Sequence, residues 1–288
     1  MVEFASSWHR GVAALALLAS SLLTLASPVN QPEQPSVYLE ELTSPELRTL
    51  IASGTTTVLV PIGGTEQNGP HMVLGKHNVR VRVLAGAIAR QLGHAVVAPV
   101  IAYVPEGAID PPAAHMRYAG TLSVSGQAFE AVLEGAARSL KQHGFRHVVF
   151  VGDHGGYQTL ETRVAERLNR QWAGHSPCRA HALTAYYDAA QEPFSADLEK
   201  HGFSAAQIGT HAGLADTALA LAVDPTLVRP GAQASAVPDA AGVHGDPRPA
   251  TAALGEPGVR QIVETSVNAI RAMTAADDRT PELKTPRR

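Results

Sequence analysis

Apolar residues follow two alternating rhythms along the chain. Short apolar, partly β-branched runs fit buried strands: TTVLVPI (56–62), AVVAPVIAYV (95–104), HVVFVGD (147–153) and RAHALTAYY (179–187). Between them the spacing becomes helical. Phe129, Val132, Leu133, Ala136, Ala137 and Leu140 share one face of a helix over 129–144, stopped by Gly144. The segments 79–93, 159–172, 214–223 and 257–273 also predict helices, the first ending at Gly93. Ser44-Pro45-Glu46 marks a helix start, with a cap residue, a first-turn proline and an acid favoured by the helix dipole; Gly54 ends that helix. Strands separated by helices predict parallel βαβ units, and so a three-layer α/β/α fold around a mostly parallel central sheet. The Pro-, Gly- and Ala-rich stretch 228–258 predicts irregular structure.

The two ends of the chain break this rhythm. His9 and Arg10 precede the apolar run GVAALALLASSLLTLA, and Thr24 and Ala26 are small residues at signal-peptidase spacing. Residues 1–26 therefore read as a secretory signal peptide, too short for a comfortable membrane span, with export to the periplasm or medium as the consequence. Residues 27–36 read as a Pro/Gln/Ser linker and 277–288, DDRTPELKTPRR, as a disordered tail, leaving one domain over 37–276. An exported chain whose one cysteine is Cys178 forms no internal disulfide, so its apolar core must hold the fold. A net charge of -3 and 5% aromatic residues argue against a nucleic-acid surface.

In parallel α/β proteins the chemistry collects at the carboxyl ends of strands. Glu66, Asn68, His71 and His77 share the loop after the first strand. Asp153 and His154 end the third strand, and His211 and Asp216 flank the start of a late helix. Carboxylates and imidazoles from three separate places suit a divalent cation that takes mixed nitrogen and oxygen ligands. Bland readings stand beside this one. His71 follows Gly-Pro and can brace the turn; Asp153 can cap the next segment; His115, in PPAAHMRYAG, can line the cleft.

At these residues the sequence resembles the creatininase (creatinine amidohydrolase) family. The resemblance rests on GGTEQNGPHMVLGKH, GDHGGYQ, HAGLADTA and GVHGDPRPATAALG, in family order over most of 37–273. It implies a metal-activated water that hydrolyses a non-peptide C–N bond of a small molecule, most simply a cyclic amide. By position, it makes Glu66 and His154 ligands of one metal and His211 a substrate-side histidine. Asp216 stands in place of a family glutamate, and His211 and Asp216 become the proton carriers. His77 falls where the family has a bridging aspartate, Asn68 where it has a histidine ligand, and Gly156 where creatininase has a glutamate. A neutral imidazole has one free lone pair, so His77 can complete a face with Glu66 and His154 but cannot bridge two ions. The expectation is one well-bound metal, zinc before manganese or iron, with a second weak or absent. Asn68, His71, Asp153, Tyr157 and His115 are then candidates for a second metal position or for substrate contact. The resemblance also implies a homo-oligomer, with hexamers common in the family. The altered ligands leave an alternative, a non-catalytic relative that only binds a small ligand.

Overall fold

Thr43, one residue before the expected cap, starts the first helix: its N–H and hydroxyl both donate to Glu46 at 2.7 Å. A computed structural model describes residues 36–279, with side chains to Asp277. In chain order the elements are α1 (Ser44–Ala52), β1 (Thr57–Ile62), α2 (Lys76–Leu92), β2 (Ala95–Val97), α3 (Gly126–Gln142) and β3 (His147–Gly152). There follow α4 (Gln158–Trp172), β4 (Arg179–Ala182), α5 (Thr184–Lys200), the short α6 (Ala205–Ile208), α7 (Leu214–Val223), the short α8 (Pro230–Ala234) and α9 (Ala252–Arg279). The four strands form one parallel sheet in the order β2-β1-β3-β4.

Alternate strand residues feed two apolar layers, as the pleat requires. Val58, Val60, Val148 and Phe150 pack with Phe129, Leu133, Val164 and Leu168 of α3 and α4. Leu59, Val97, Val149 and Val151 pack with residues of α2, α5, α7 and α9. This is the three-layer α/β/α arrangement expected from the sequence.

Four boundaries differ from the expectation. The strand expected over 95–104 is cut short after Val97: Ala98 N–H still donates to Leu59 O at 2.8 Å, but the regular alternation breaks at the next step, where Pro99 fixes the backbone. Pairing resumes only at Ile101, whose N–H donates to Pro61 O at 2.9 Å. The strand expected to reach Tyr187 ends at Ala182, and α5 follows; TAYY looks strand-like, and Pro193 inside the helix obscures its periodicity. Helix α2 begins at Lys76, three residues early, which places Lys76, His77 and Arg80 on the site-facing first turns. The last helix, expected over 257–273, spans Ala252–Arg279. Residues 1–35, including the signal-peptide and most of the linker expectation, lie outside the described residues, as do 280–288. No helix among the described residues is long and apolar enough to cross a membrane.

Glu161 of α4 is out of place in this core. It is fully buried, neither carboxylate oxygen has a hydrogen-bond partner, and burial holds its carboxyl well above the usual range. The fold thus favours its neutral form and binds a proton that the unfolded chain releases near its ordinary value of 4.5. Stability is therefore expected to fall as pH rises above that value. Urea unfolding of wild type and Glu161→Gln at pH 5 and pH 8 checks this: the substitution should flatten the slope and raise stability at pH 8.

Candidate metal centre and active site

Glu66 is the hub of the site. It follows β1 with no exposed surface, its backbone N–H held by Leu74 O at 3.1 Å. Four imidazoles surround its carboxylate. His77 Nε2 is 2.7 Å from Oε1 and His211 Nδ1 3.8 Å; His115 Nε2 is 3.3 Å from Oε2 and His154 Nε2 3.9 Å. Burial pushes the Glu66 carboxyl up, but the His77 hydrogen bond and the charges of His77 and Lys76 outweigh it and hold the group ionised.

His77 has both ring nitrogens on carboxylates. Nδ1 lies 2.6 Å from Asp153 Oδ2 while Nε2 faces Glu66. Burial and Lys76 disfavour its charged form, yet these two hydrogen bonds raise its pKa above the ordinary value. With both nitrogens on carboxylates, His77 orients the Glu66 side chain in this structure.

A charge ladder stands behind it. Arg80 donates to Asp153 at 2.9 Å and to Asp216 at 2.8 Å. Tyr186 OH donates to Asp153 at 2.6 Å. Lys76 Nζ, 1% exposed, pairs with Asp216, which also accepts the Ala212 N–H at 3.0 Å. Burial raises the Asp216 carboxyl, but Lys76 and Arg80 hold it well below its usual range. Asp216, expected as a proton carrier, thus sits as the anchor of two buried cations.

The other expected residues divide. His115 and His211 join the cluster: Gln67 Nε2 lies 3.1 Å from His115 Nδ1 and 3.1 Å from His211 Nε2, leaving the remaining nitrogen of each facing Glu66. Burial lowers both pKa values, that of His211 to about 4. Asn68, His71, Asp153 and Tyr157 serve the scaffold. The Asn68 amide donates to Glu66 O and Val73 O at 2.9 and 3.1 Å, and His71 Nε2 lies 3.0 Å from Thr217 Oγ1. Tyr157 OH lies 2.9 Å from Ile62 O and 2.6 Å from Gly63 O, and accepts the N–H groups of Asp153 and His154, so it locks together the ends of β1 and β3.

Sequence reasoning missed Glu106, Gln67, Lys76 and Arg80. Glu106 Oε2 lies 3.6 Å from His154 Nδ1, and burial and the charge of Glu66 push its carboxyl up to about 9. Burial takes His154 down to about 4 against the pull of Glu66. The one early signal was a lone acid in the apolar loop YVPEG; Lys76 and Arg80 needed only the recognition that they share a helix face with His77.

Two donor groups meet at Glu66, one with His115 and His211 and one with Glu106 and His154; in each, the ligand atoms lie within 4.8 Å of one another. Glu66 Oε2 and both Glu106 oxygens are buried without a hydrogen-bond partner, a state that suits a bound cation. A cavity of about 580 Å³ opens beside the cluster, lined by His115, His154, His211, Tyr187 and His244 but not by the buried Glu66 and Glu106.

A parallel α/β fold with a carboxylate–imidazole centre at its carboxyl-end strand tips defines the class of hydrolase-like α/β proteins with room for metal. Within that class, a creatininase model described as creatinine amidohydrolase matches residues 40–270, and the chain belongs to that family. It is 38% identical over 128 residues to a mycofactocin precursor peptide peptidase of Mycolicibacterium smegmatis, covering 42% of this chain and 49% of that protein. It is 26% identical over 196 residues to a creatinine amidohydrolase of Pseudomonas putida, covering 67% and 74%. A solved creatinine amidohydrolase superposes with a TM-score of 0.70 at 25% identity, covering 83% of this chain and 98% of that one, and a structure named creatininase Mn gives the same score at 24% identity, covering 83% and 99%.

Because Asp216 neutralises Lys76 and Arg80, Asp216→Asn should cost about 3–5 kcal/mol of stability, the size expected when buried charges lose their partner. Urea unfolding measures it, and a loss under about 1 kcal/mol would remove Asp216 from the anchor role.

Proposed function

We propose that the protein is a metal-dependent amidohydrolase that cleaves a C–N bond of a small molecule, most simply a cyclic amide. The observation that carries this reading is that His154, His115 and His211 line one cavity at the carboxyl ends of β1 and β3 while surrounding the buried Glu66 carboxylate. Family membership supports it, as do neighbours named as manganese and Zn-Zn forms of creatininase.

Glu66 and His154 would hold a divalent cation, zinc by preference and one per chain. Such an ion lowers the pKa of a bound water and polarises an amide carbonyl. Burial keeps His211 neutral, so on this reading it accepts a proton at Nδ1 on the Glu66 side and returns it to the leaving nitrogen. The Gln67 carbonyl fixes the ring by accepting the Nε2–H at 3.0 Å, which leaves the lone pair on Nδ1. The backbone N–H groups after His154 are candidates for holding the developing oxyanion. The signal-peptide reading of residues 1–26 supports a reaction outside the cytoplasm, and the family resemblance supports a homo-oligomer.

A second reading takes a peptide as the substrate. It is favoured by the 38% identity to a named peptidase. The exposed Arg117 and Tyr118 at the cavity rim give a longer substrate something to lie against.

The mature protein should bind about one equivalent of metal, lose hydrolysis with a chelator and regain it with zinc or manganese. Glu66→Gln and His154→Ala should each abolish turnover in a screen of lactams, cyclic ureides and short peptides. Two equivalents of metal would overturn the single-ion arrangement. Metal binding with no hydrolysis across the screen would favour a ligand-binding relative.

A further inference from the structure

Glu106 has a built position. It stands in the long segment between Pro99 and α3, where the Glu106 N–H donates to Ser123 Oγ at 3.0 Å and Val124 N–H to Val104 O at 3.2 Å. Ser123 Oγ in turn donates to Gly107 O at 2.7 Å, so both sides of the residue are pinned to the entry of α3. The side chain is 3% exposed. A Cβ on Gly64, at φ +153, would collide with Glu106 Oε1, so the carboxylate occupies space that only a glycine leaves open.

That carboxylate has no hydrogen-bond partner on either oxygen. The groups around it are the wrong ones for a neutral pocket and the right ones for a cation. Glu66 Oε2, also buried without a partner, supplies a second negative oxygen, and His154 supplies an imidazole, its Nε2 3.9 Å from Glu66 Oε2 and its Nδ1, which accepts the Gly156 N–H, 3.6 Å from Glu106 Oε2. Those separations are too long for hydrogen bonds. One His154 nitrogen and one oxygen from each carboxylate lie within 4.8 Å of one another, which suits donors about 2.0–2.2 Å from one shared ion after a small contraction. Two buried carboxylates side by side repel each other unless a positive charge lies between them.

We propose that Glu106 is a metal ligand: with Glu66 and His154 it completes a three-donor face for one divalent transition cation, while His77, held by Asp153, only positions Glu66. The inference rests on the reading of the protein as metal-dependent, and it fixes where the first ion sits. The donor set becomes two carboxylates and one imidazole, a set suited to zinc or manganese with positions left for water.

The test reads binding without relying on turnover. Metal-free protein is titrated with zinc against a competing chelator, and with Co(II) while following its visible absorption. Wild type should bind one ion with an intense cobalt band. Glu106→Gln should bind on the order of a hundredfold more weakly and lose that band, whereas Glu106→Asp should keep binding with an altered band. Heat unfolding separates ligation from a merely structural role. Metal-free Glu106→Gln should melt at or above metal-free wild type, since the cost of protonating a buried carboxyl beside Glu66 is gone, yet gain little when zinc is added. If wild type binds no metal, the functional reading itself falls. If wild type binds and Glu66→Gln does not, but Glu106→Gln keeps wild-type affinity and cobalt spectrum, the Glu106 assignment alone is overturned. A Glu106→Gln protein that melts below wild type without metal and still gains fully from zinc also overturns it.

Discussion

The hydrogen bonds from His77 to Asp153 and Glu66 are the link on which the site depends. They join the first turn of α2 to the loop after β1 and to the tip of β3, three segments far apart in sequence. Each group is buried, so each would carry a large desolvation penalty alone; together they are compensated by Arg80, Tyr186, Lys76 and Asp216. Half a network of this kind would be worse than none, which makes the orientation of the Glu66 carboxylate a property of the entire ladder.

The sheet supplies the frame. β1 and β3 pair in register from Thr57 with His147 to Ile62 with Gly152, so their chains leave the sheet at the same level. Tyr157 closes that exit by bonding both ends at once. Residues Glu66 and His154 then meet because the register brings them there, and the apolar layers on both faces keep it from slipping.

The layers and the parallel sheet were legible because buried strands and amphipathic helices write their periods into the sequence. Boundaries were less so: Pro99 ends a ladder in a run that looks continuous, and Pro193 sits inside a helix. At the site, Glu66, His154, His115 and His211 could be chosen by residue type and loop position. The roles of His77 and Asp216 could not, since whether an imidazole ligates or orients depends on what its second nitrogen touches, and a carboxylate's task depends on the cations folded against it. Glu106 was invisible for a related reason: its partners are 40 and 48 residues away in the chain, at Glu66 and His154.

The interruption at Pro99 has a consequence for how such a protein can diversify. Because the edge strand stops early, the chain from there to α3 is released from the sheet, and it delivers Glu106 and His115 to a centre whose other donors come from strand tips and helix starts. One part of the centre is thus inherited from the architecture and the other is carried on a detachable strip. Changes along that strip would alter the cavity wall and the donor set of this chain while leaving the buried ladder beneath in place.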